Sequence, residues 1–248
     1  MGQKAIVDAE YLDATADAIR AKLGTTDGIY LKDFPFRIGQ IEGGGGDGMA
    51  LARSIINKTV TEYIDPEITE LWPWTLAGCS QLTRLELPNL TRIDYYSLYG
   101  CVSLPAFDAT KLSSIGTFGF HSCMSLETLN LPVLGRLKEH ALGACIRLKK
   151  VDLGEVSLIE NHAMEECQSL VAVIIRTSVV CQLQNVNAFN RCNHFTGEVN
   201  STYNPEGLKD GYFYVPRDLV EEYKVAQNWS EFADRFRAIE DYPEITGG

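Results

Sequence analysis

The sequence has no apolar run near the roughly 20 residues that a membrane-spanning helix requires, so no spanning segment is expected. It also has no basic-then-apolar leader with a small-residue cleavage site, since Met1 to Ile6 holds one lysine and an acidic, alanine-rich stretch follows. These two absences predict a chain that folds where it is made, in the cytoplasm or in a virion; a cell-surface location is the alternative and needs an export signal. Basic residues are outnumbered, with 22 Lys and Arg against 33 Asp and Glu and a formal net charge of −11. Phosphate contacts need clustered cations, so neither nucleic acid nor an anionic membrane is an expected partner. No two cysteines stand two to four residues apart, as a zinc site would want. The glycine run Gly43 to Gly46 is not followed by Gly-Lys-Ser/Thr, so it is no phosphate loop. No cofactor and no metal is expected. There are only four histidines, His121, His140, His162 and His194, and no motif gives any of them a Ser or Cys partner for nucleophilic chemistry. The chain is therefore not expected to be an enzyme.

What is present is a ruler. Cys79, Cys101, Cys123, Cys145 and Cys167 are each 22 residues apart. Other columns keep the phase: Leu82, Leu104, Leu126, Leu148 and Leu170; Leu85, Phe107, Leu129, Val151 and Val173; Leu87, Ala109, Leu131, Leu153 and Ile175; Ile93, Ile115, Leu137 and Ile159. One such unit cannot bury its own apolar edge, so units stack and share a continuous core. The alternation Leu85-Glu86-Leu87 reads as a short strand with its leucines inward, and stacked units make a parallel ladder. Pro88 and Pro132 fall where the chain leaves that ladder, since proline has no amide to donate. A small column, Ser97, Gly119, Ala141 and Ala163, marks a close approach of backbones. The thiols read as small buried apolar groups, reduced, and serving packing. The expected fold class is thus a repeat solenoid with a parallel β ladder.

The ends of the array are degenerate. Val60, Tyr63, Ile68, Leu71 and Leu76 repeat the pattern one period early, with Asp65 at an inward position, as a terminal cap would. At the other end Ala188, Phe189 and Cys192 follow Ala163, Met164 and Cys167 after 25 residues, so three residues are inserted near Ser178 to Asn187. Thr196 to Gly211 is rich in Asn, Gly and Ser and reads as a loop. Gly211 to Tyr242 reads as a strand followed by one or two helices that close the solenoid. In front, Leu12, Ala16, Ile19 and Leu23 have helical spacing, with Gly24 as a stop, and Phe34, Ile38 and Ile41 suggest a second short helix. The expected organisation is a helical attachment module over 1–42, a glycine-rich linker over 43–48, a solenoid over 49–242 with regular repeats at 79–178 and a cap at 211–242, and a tail at 243–248. About 40 residues are too few for a stable lone domain, so the module should dock on something: its own solenoid, further copies, or a larger assembly.

The repeats resemble the BspA-like branch of the leucine-rich-repeat family, in which Cys is followed by Leu, a Leu-x-Leu-Pro strand, an Ile and an Ala-Phe pair. Cys123-Met-Ser-Leu-Glu-Thr-Leu-Asn-Leu-Pro132 and Cys79 to Pro88 carry the likeness, although the aromatic of the Ala-Phe pair is often Leu or Met here. The run Tyr212-Phe-Tyr-Val-Pro-Arg-Asp-Leu-Val-Glu-Glu-Tyr-Lys, with Asn228-Trp-Ser and Arg237 to Tyr242, is similar to the ending of such proteins from gut Firmicutes and their phages. Ala16-Asp-Ala-Ile-Arg-Ala-Lys-Leu-Gly-Thr-Thr26 is similar to a short module in front of phage structural proteins. The resemblance implies recognition or adhesion and carries over no binding residue. The expected function is a phage or prophage structural protein of the tail or baseplate, displaying a surface to a protein or a cell-surface glycan, with virion docking or homo-oligomerisation through residues 1–42. The alternative is a bacterial surface adhesin or an intracellular interaction scaffold. The candidate ligand residues are those that point out of the ladder: Arg84, Glu86, Asp108, Thr128, Asn130, Lys150 and Asp152. The ladder turns apolar at Ala172 and Ile174, an edge expected to be covered by the cap or by a partner.

Overall fold

The computed structural model describes Ile55 and residues 57–247, so the expected module 1–42 and linker 43–48 lie outside the described residues. The chain divides into two compact units, Met1–Val60 and Thr61–Gly248, and the coils of the solenoid belong to the second. Each coil contributes a short strand to one parallel ladder, and all but one contribute a strand to another. The first ladder holds β1 (Glu62–Ile64) paired with β3 (Arg84–Glu86), and then β6 (Thr128–Asn130), β8 (Lys150–Asp152), β10 (Ala172–Ile174), β12 (Tyr212–Val215) and β13 (Phe236–Ala238). The second runs without interruption through β2 (Glu70–Leu71), β4 (Arg92–Ile93), β5 (Ser114–Ile115), β7 (Arg136–Leu137), β9 (Leu158–Ile159) and β11 (Gln182–Leu183). In-register pairs such as Leu129↔Val151 and Ile93↔Ile115 stack identical columns, so the core is a set of rows running along the solenoid. The Leu82, Leu104, Leu126, Leu148 and Leu170 row is fully buried.

The first ladder is broken at one coil. No strand forms over residues 106–108, and the amides of Ala106, Phe107 and Asp108 donate to no backbone carbonyl. Pro105 explains this. In the other coils the amide at its position donates to the previous coil, as Thr83 does to Thr61, Lys149 to Glu127 and Val171 to Lys149. Proline has no such donor. The inward pair is also inverted in size here: Phe107 and Ala109 stand where Leu129 and Leu131 stand one coil later. The Phe107 ring leans toward Phe120, with centroids 5.7 Å apart.

The cysteines have a role beyond packing. All seven are buried. The thiols of Cys101, Cys123, Cys145 and Cys167 donate to the carbonyls of Leu76, Leu98, Phe120 and Leu142, each 25 residues back, at 3.1–3.3 Å. Cys192 does the same to Met164 across the inserted residues. The carbonyls of Leu76, Leu98, Phe120 and Met164 also accept the amide three residues on, for example Cys123 N to Phe120 O at 3.1 Å, so both lone pairs of each are used. A buried carbonyl left short of partners is costly, which favours cysteine over alanine or valine at this column. Burial pushes the thiols of Cys123, Cys145 and Cys167 well above their ordinary range, so they stay protonated and keep donating.

The insertion is resolved into two places. Leu158 pairs with Gln182, two residues beyond the period, and Met164 N bonds Ala188 O where Leu142 N bonds Ala163 O, so the third residue enters between them. Beyond this coil the solenoid is closed by α1 (Asn193–Thr196), β12, a 3-10 turn, α2 (Val220–Val225), a longer 3-10 segment (Trp229–Arg235) and β13. The second strand, β13, goes beyond the one strand expected for the cap; it pairs Phe236–Ala238 with Phe213–Val215 and extends the first ladder by one row. Phe189, Phe213, Tyr223, Trp229 and Phe236 pack against one another beneath it. The open edge of the second ladder is capped by side chains: Trp229 Nε1 donates to Cys181 O at 2.6 Å, Cys181 N donates to the Tyr223 hydroxyl, and Asn228 Nδ2 donates to Leu183 O. An edge with its groups satisfied offers no template to another strand.

Residues 243–247 are part of this closure, which corrects the expectation of a tail. They form α3 (Pro243–Thr246), and Ile245, Tyr242 and Ile239 lie over Ala172, Ile174 and Tyr214. The apolar edge of the ladder is therefore covered from within the chain.

Candidate binding surface

The outward positions of the first ladder fall into two groups. Arg84 Nε lies 2.8 Å from Glu86 Oε1 and its NH1 lies 3.2 Å from Glu62 Oε2, so the three form an exposed ion pair network across two coils. Asp108 is exposed and accepts both the amide and the hydroxyl of Thr110, at 3.0 and 2.7 Å. Those bonds, the hydroxyl first, hold its carboxyl below the usual range. Thr128 and Asn130 are exposed. Lys150 and Asp152 are not open in the same way. Lys150 Nζ donates to Ile245 O at 3.2 Å. Asp152 accepts from Arg176, whose Nε is shared between Oδ1 at 3.2 Å and Oδ2 at 2.9 Å and whose NH2 donates to Oδ2 at 2.6 Å, and its side chain is 13% exposed. So five of the seven candidates line an open face, and the other two are engaged with the closing segment.

A second surface, unread in the sequence, lies on the turns between coils. Trp74, Tyr96, Phe118, His140 and His162 share one column, and each has a left-handed backbone with φ between 53° and 63°. Such a conformation costs an L-residue about 1–2 kcal/mol. Their rings stack continuously: centroids are 4.2 Å apart for Trp74–Tyr96, 4.6 Å for Tyr96–Phe118, 4.5 Å for Phe118–His140 and 5.1 Å for His140–His162, all within 16° of parallel. The rise between coils, about 4.8 Å for neighbouring strands, matches the thickness of stacked rings. Each stacked pair contributes about 0.5–1.5 kcal/mol, enough to offset the backbone strain. A parallel pair, Tyr99 and His121, runs beside it at 5.4 Å. A second left-handed column, four residues on, contains Gly78 and Gly100, which adopt it without strain, then Ser122, Ala144 and Glu166.

The polar end of the column is tied by Glu165. Its Oε2 lies 2.5 Å from His162 Nδ1, and its Oε1 lies 3.0 Å from His140 Nδ1 but off the hydrogen-bonding direction. His121 Nδ1 lies 2.8 Å from the Ser122 hydroxyl. Burial, and then the neighbouring His140, push the His121 pKa down. Because the rings cover one another's faces, this column presents edges to solvent and acts as a seam between coils. The most exposed aromatic side chains near the start of the column are Trp72 and Tyr95, 40% and 46% exposed.

Two shallow concavities lie in the closure. One of about 330 Å³ is lined by Arg217, Arg237, Asp241 and Tyr242, and one of about 160 Å³ by Phe195, Lys209 and Arg235. Among the described residues no group of three His, Cys, Asp or Glu side chains is arranged to hold a metal ion, and no helix is long and apolar enough to cross a membrane. His194, outside the column, is structural. It lies 2.5 Å from Asp210 and 3.0 Å from Tyr203 O, and so anchors the 196–211 loop. Asn204, buried in that loop, donates to Leu208 O and accepts Leu208 N, both at 2.9 Å.

The family pattern of the BspA type leucine rich repeat region matches residues 69–196 in six copies. The chain belongs to that family. Its Cys-x-x-Leu rows, its short parallel strands and its left-handed turns are the leucine-rich-repeat coil as this sequence builds it. Solved structures with similarity include a leucine-rich repeat protein from Eubacterium ventriosum, with 21% identity and a TM-score of 0.43 over 59% of this chain and 40% of that one. A leucine rich cell surface protein from Faecalibacterium prausnitzii has 16% identity and a TM-score of 0.27, over 56% and 59% of the two chains. The pneumococcal vaccine antigen PcpA has 17% identity and a TM-score of 0.38, over 72% and 40%. This chain thus spans 40–59% of the length of those proteins. No curated protein matches the sequence.

Proposed function

We propose that this leucine-rich-repeat protein is a non-catalytic recognition or adhesion protein, and more narrowly a phage or prophage structural protein of the tail or baseplate. Its solenoid displays the outward face of the first ladder to a protein or a cell-surface glycan. The observation that carries the recognition reading is the use of side chains in the coils. Inward rows, thiols and ring faces are committed to joining coils, whereas Arg84, Glu86, Asp108, Thr128 and Asn130 form one open strip. Extended regular faces of this kind are what repeat proteins use for binding. The narrower reading is supported by the likeness of Ala16 to Thr26 to modules that precede phage structural proteins, and by the glycine linker behind it. On this reading residues 1–42 attach and the solenoid presents. Light scattering of the full chain against a chain starting at Met49 tests the attachment. The full chain is expected to self-associate and the shorter one to be monomeric; identical monomers would overturn the attachment role.

A further inference from the structure

The outward face of the first ladder changes character at its last rows. Ala172 and Ile174 stand where the two preceding coils carry Thr128 and Asn130, then Lys150 and Asp152, and Tyr214 lies on the neighbouring strand; Ala172, Ile174 and Tyr214 are all buried. What buries them is a short segment of the same chain. Tyr242 meets Tyr214 edge to face at 5.4 Å, and Ile245, three residues on, packs over the same strip. The two ends of the segment are held differently. Its helical turn is closed by the Thr246 hydroxyl, which donates to Tyr242 O at 2.9 Å. Its C-terminal carbonyls are taken by cations of the ladder: Lys150 Nζ donates to Ile245 O, and Arg176 donates to Thr246 O. Arg176 is aimed by its hydrogen bonds to Asp152, which also accepts Gly154 N at 3.1 Å. The last carbonyls of a helical turn lack internal partners and carry partial negative charge, so a Lys–Arg pair is suited to them. An apolar strip for two side chains, ended by two fixed donors for main-chain carbonyls, is the pattern of a peptide-binding groove.

We propose that the strip of Ala172, Ile174 and Tyr214, with Lys150 and Arg176 at its end, is a docking site for a short peptide turn of a partner protein. The turn presents an aromatic and a branched aliphatic residue three positions apart, followed by free carbonyls, and residues 239–247 occupy the site in cis. The inference rests on reading the outward ladder face as the recognition face. It adds that the polar strip around Arg84 to Asn130 is always open while the apolar strip is released by displacement of the segment. The chemistry of the resident segment defines the occupant, because neither Lys150 nor Arg176 reads a side chain of it; both read main-chain oxygen.

The test supplies the segment in trans. The probe is a fluorescently labelled peptide of residues 239–248, titrated with a chain that ends at Ala238 and read by polarisation. Saturable binding is expected, with no binding to the full chain, whose site is filled. Arg176→Ala in the shortened chain should weaken binding roughly tenfold or more, since it removes a charged donor and releases Asp152. If the shortened chain does not fold, the full chain with Ile245→Asp replaces it: the lifted segment should then let the peptide bind where the unaltered chain does not. No saturable binding to either variant up to about 1 mM, the weak limit of specific association, would overturn the proposal, as would equal binding with Arg176→Ala. Failure here leaves the light-scattering comparison of the N-terminal attachment untouched.

Discussion

The regular coils and the closing segment solve the same problem by opposite means. Within the coils, one kind of side chain repeated down a column satisfies each recurring need: a thiol for the buried carbonyl, a ring for the strained turn at Trp74 to His162, an aliphatic side chain for the interior row. In the closure, nothing repeats. The edge at Cys181 to Gln184 is finished by a tryptophan, a tyrosine and an asparagine, each used once. The difference teaches where strength is concentrated. A change in a column removes one of several equivalent bonds, while a change in the closure removes a part with no duplicate.

The largest effect is therefore expected at Trp229. It is almost fully buried, touches Phe189, Phe213, Tyr223 and Phe236, and supplies the bond to Cys181 O. Trp229→Ala should cost about 3–5 kcal/mol, the range for emptying an aromatic site. Denaturant unfolding gives the loss. Hydrogen exchange locates it: protection should fall at residues 181–183 and 212–215 and persist at Arg92–Ile93 and Ser114–Ile115, because coils couple mainly to their neighbours. Uniform loss along the chain would mean that closure and array are one cooperative block.

The same difference decides how much of the molecule is legible in the sequence. The cysteine, leucine and isoleucine rows are legible because identity repeats at 22, and they fall in the interior as their period requires. The ring column repeats too, but as Trp, Tyr, Phe, His and His, a sameness of planarity and not of residue. Only its two histidines stand out by spacing, and a positive φ leaves no mark on residue type where glycine is not used. Pro105 is visible, and the lost rung is explained by it once its place in the ladder is known. The covering segment is not legible. It has no period, it is four residues of helix, and its clasp joins residues 70 and 95 positions apart. That separation is also why Lys150 and Asp152 look, in sequence, as open as Thr128 and Asn130.

A column change should be smaller and more informative. Cys145 lies mid-array, fully buried, its thiol 3.2 Å from Phe120 O. Cys145→Ala should cost about 1–3 kcal/mol, from lost packing and an under-satisfied carbonyl. Cys145→Val refills the space without the donor. If the hydrogen bond matters, valine should recover little of the loss in denaturant unfolding. A valine variant as stable as the parent would reduce the column to packing alone and erase one half of the contrast.

The smallest expected effect lies in the ring seam and is read against pH. His121 stacks on Tyr99 and sits beside His140, and burial with that neighbour lowers its pKa in the folded chain. In the unfolded chain a histidine titrates near 6.5. Below that pH the unfolded state takes up the proton while the folded state resists it, so stability is whole above about pH 6.5 and declines as the pH falls toward the lowered folded value, where the decline levels off. His121→Phe keeps a ring on Tyr99 and removes the proton. It also loses the bond to Ser122, but that offset is the same at every pH above the titration. The measurement is the difference in unfolding free energy between pH 7.5 and pH 5, taken for parent and variant. The drop should be smaller in the variant. An equal drop would show that acid acts elsewhere than at His121.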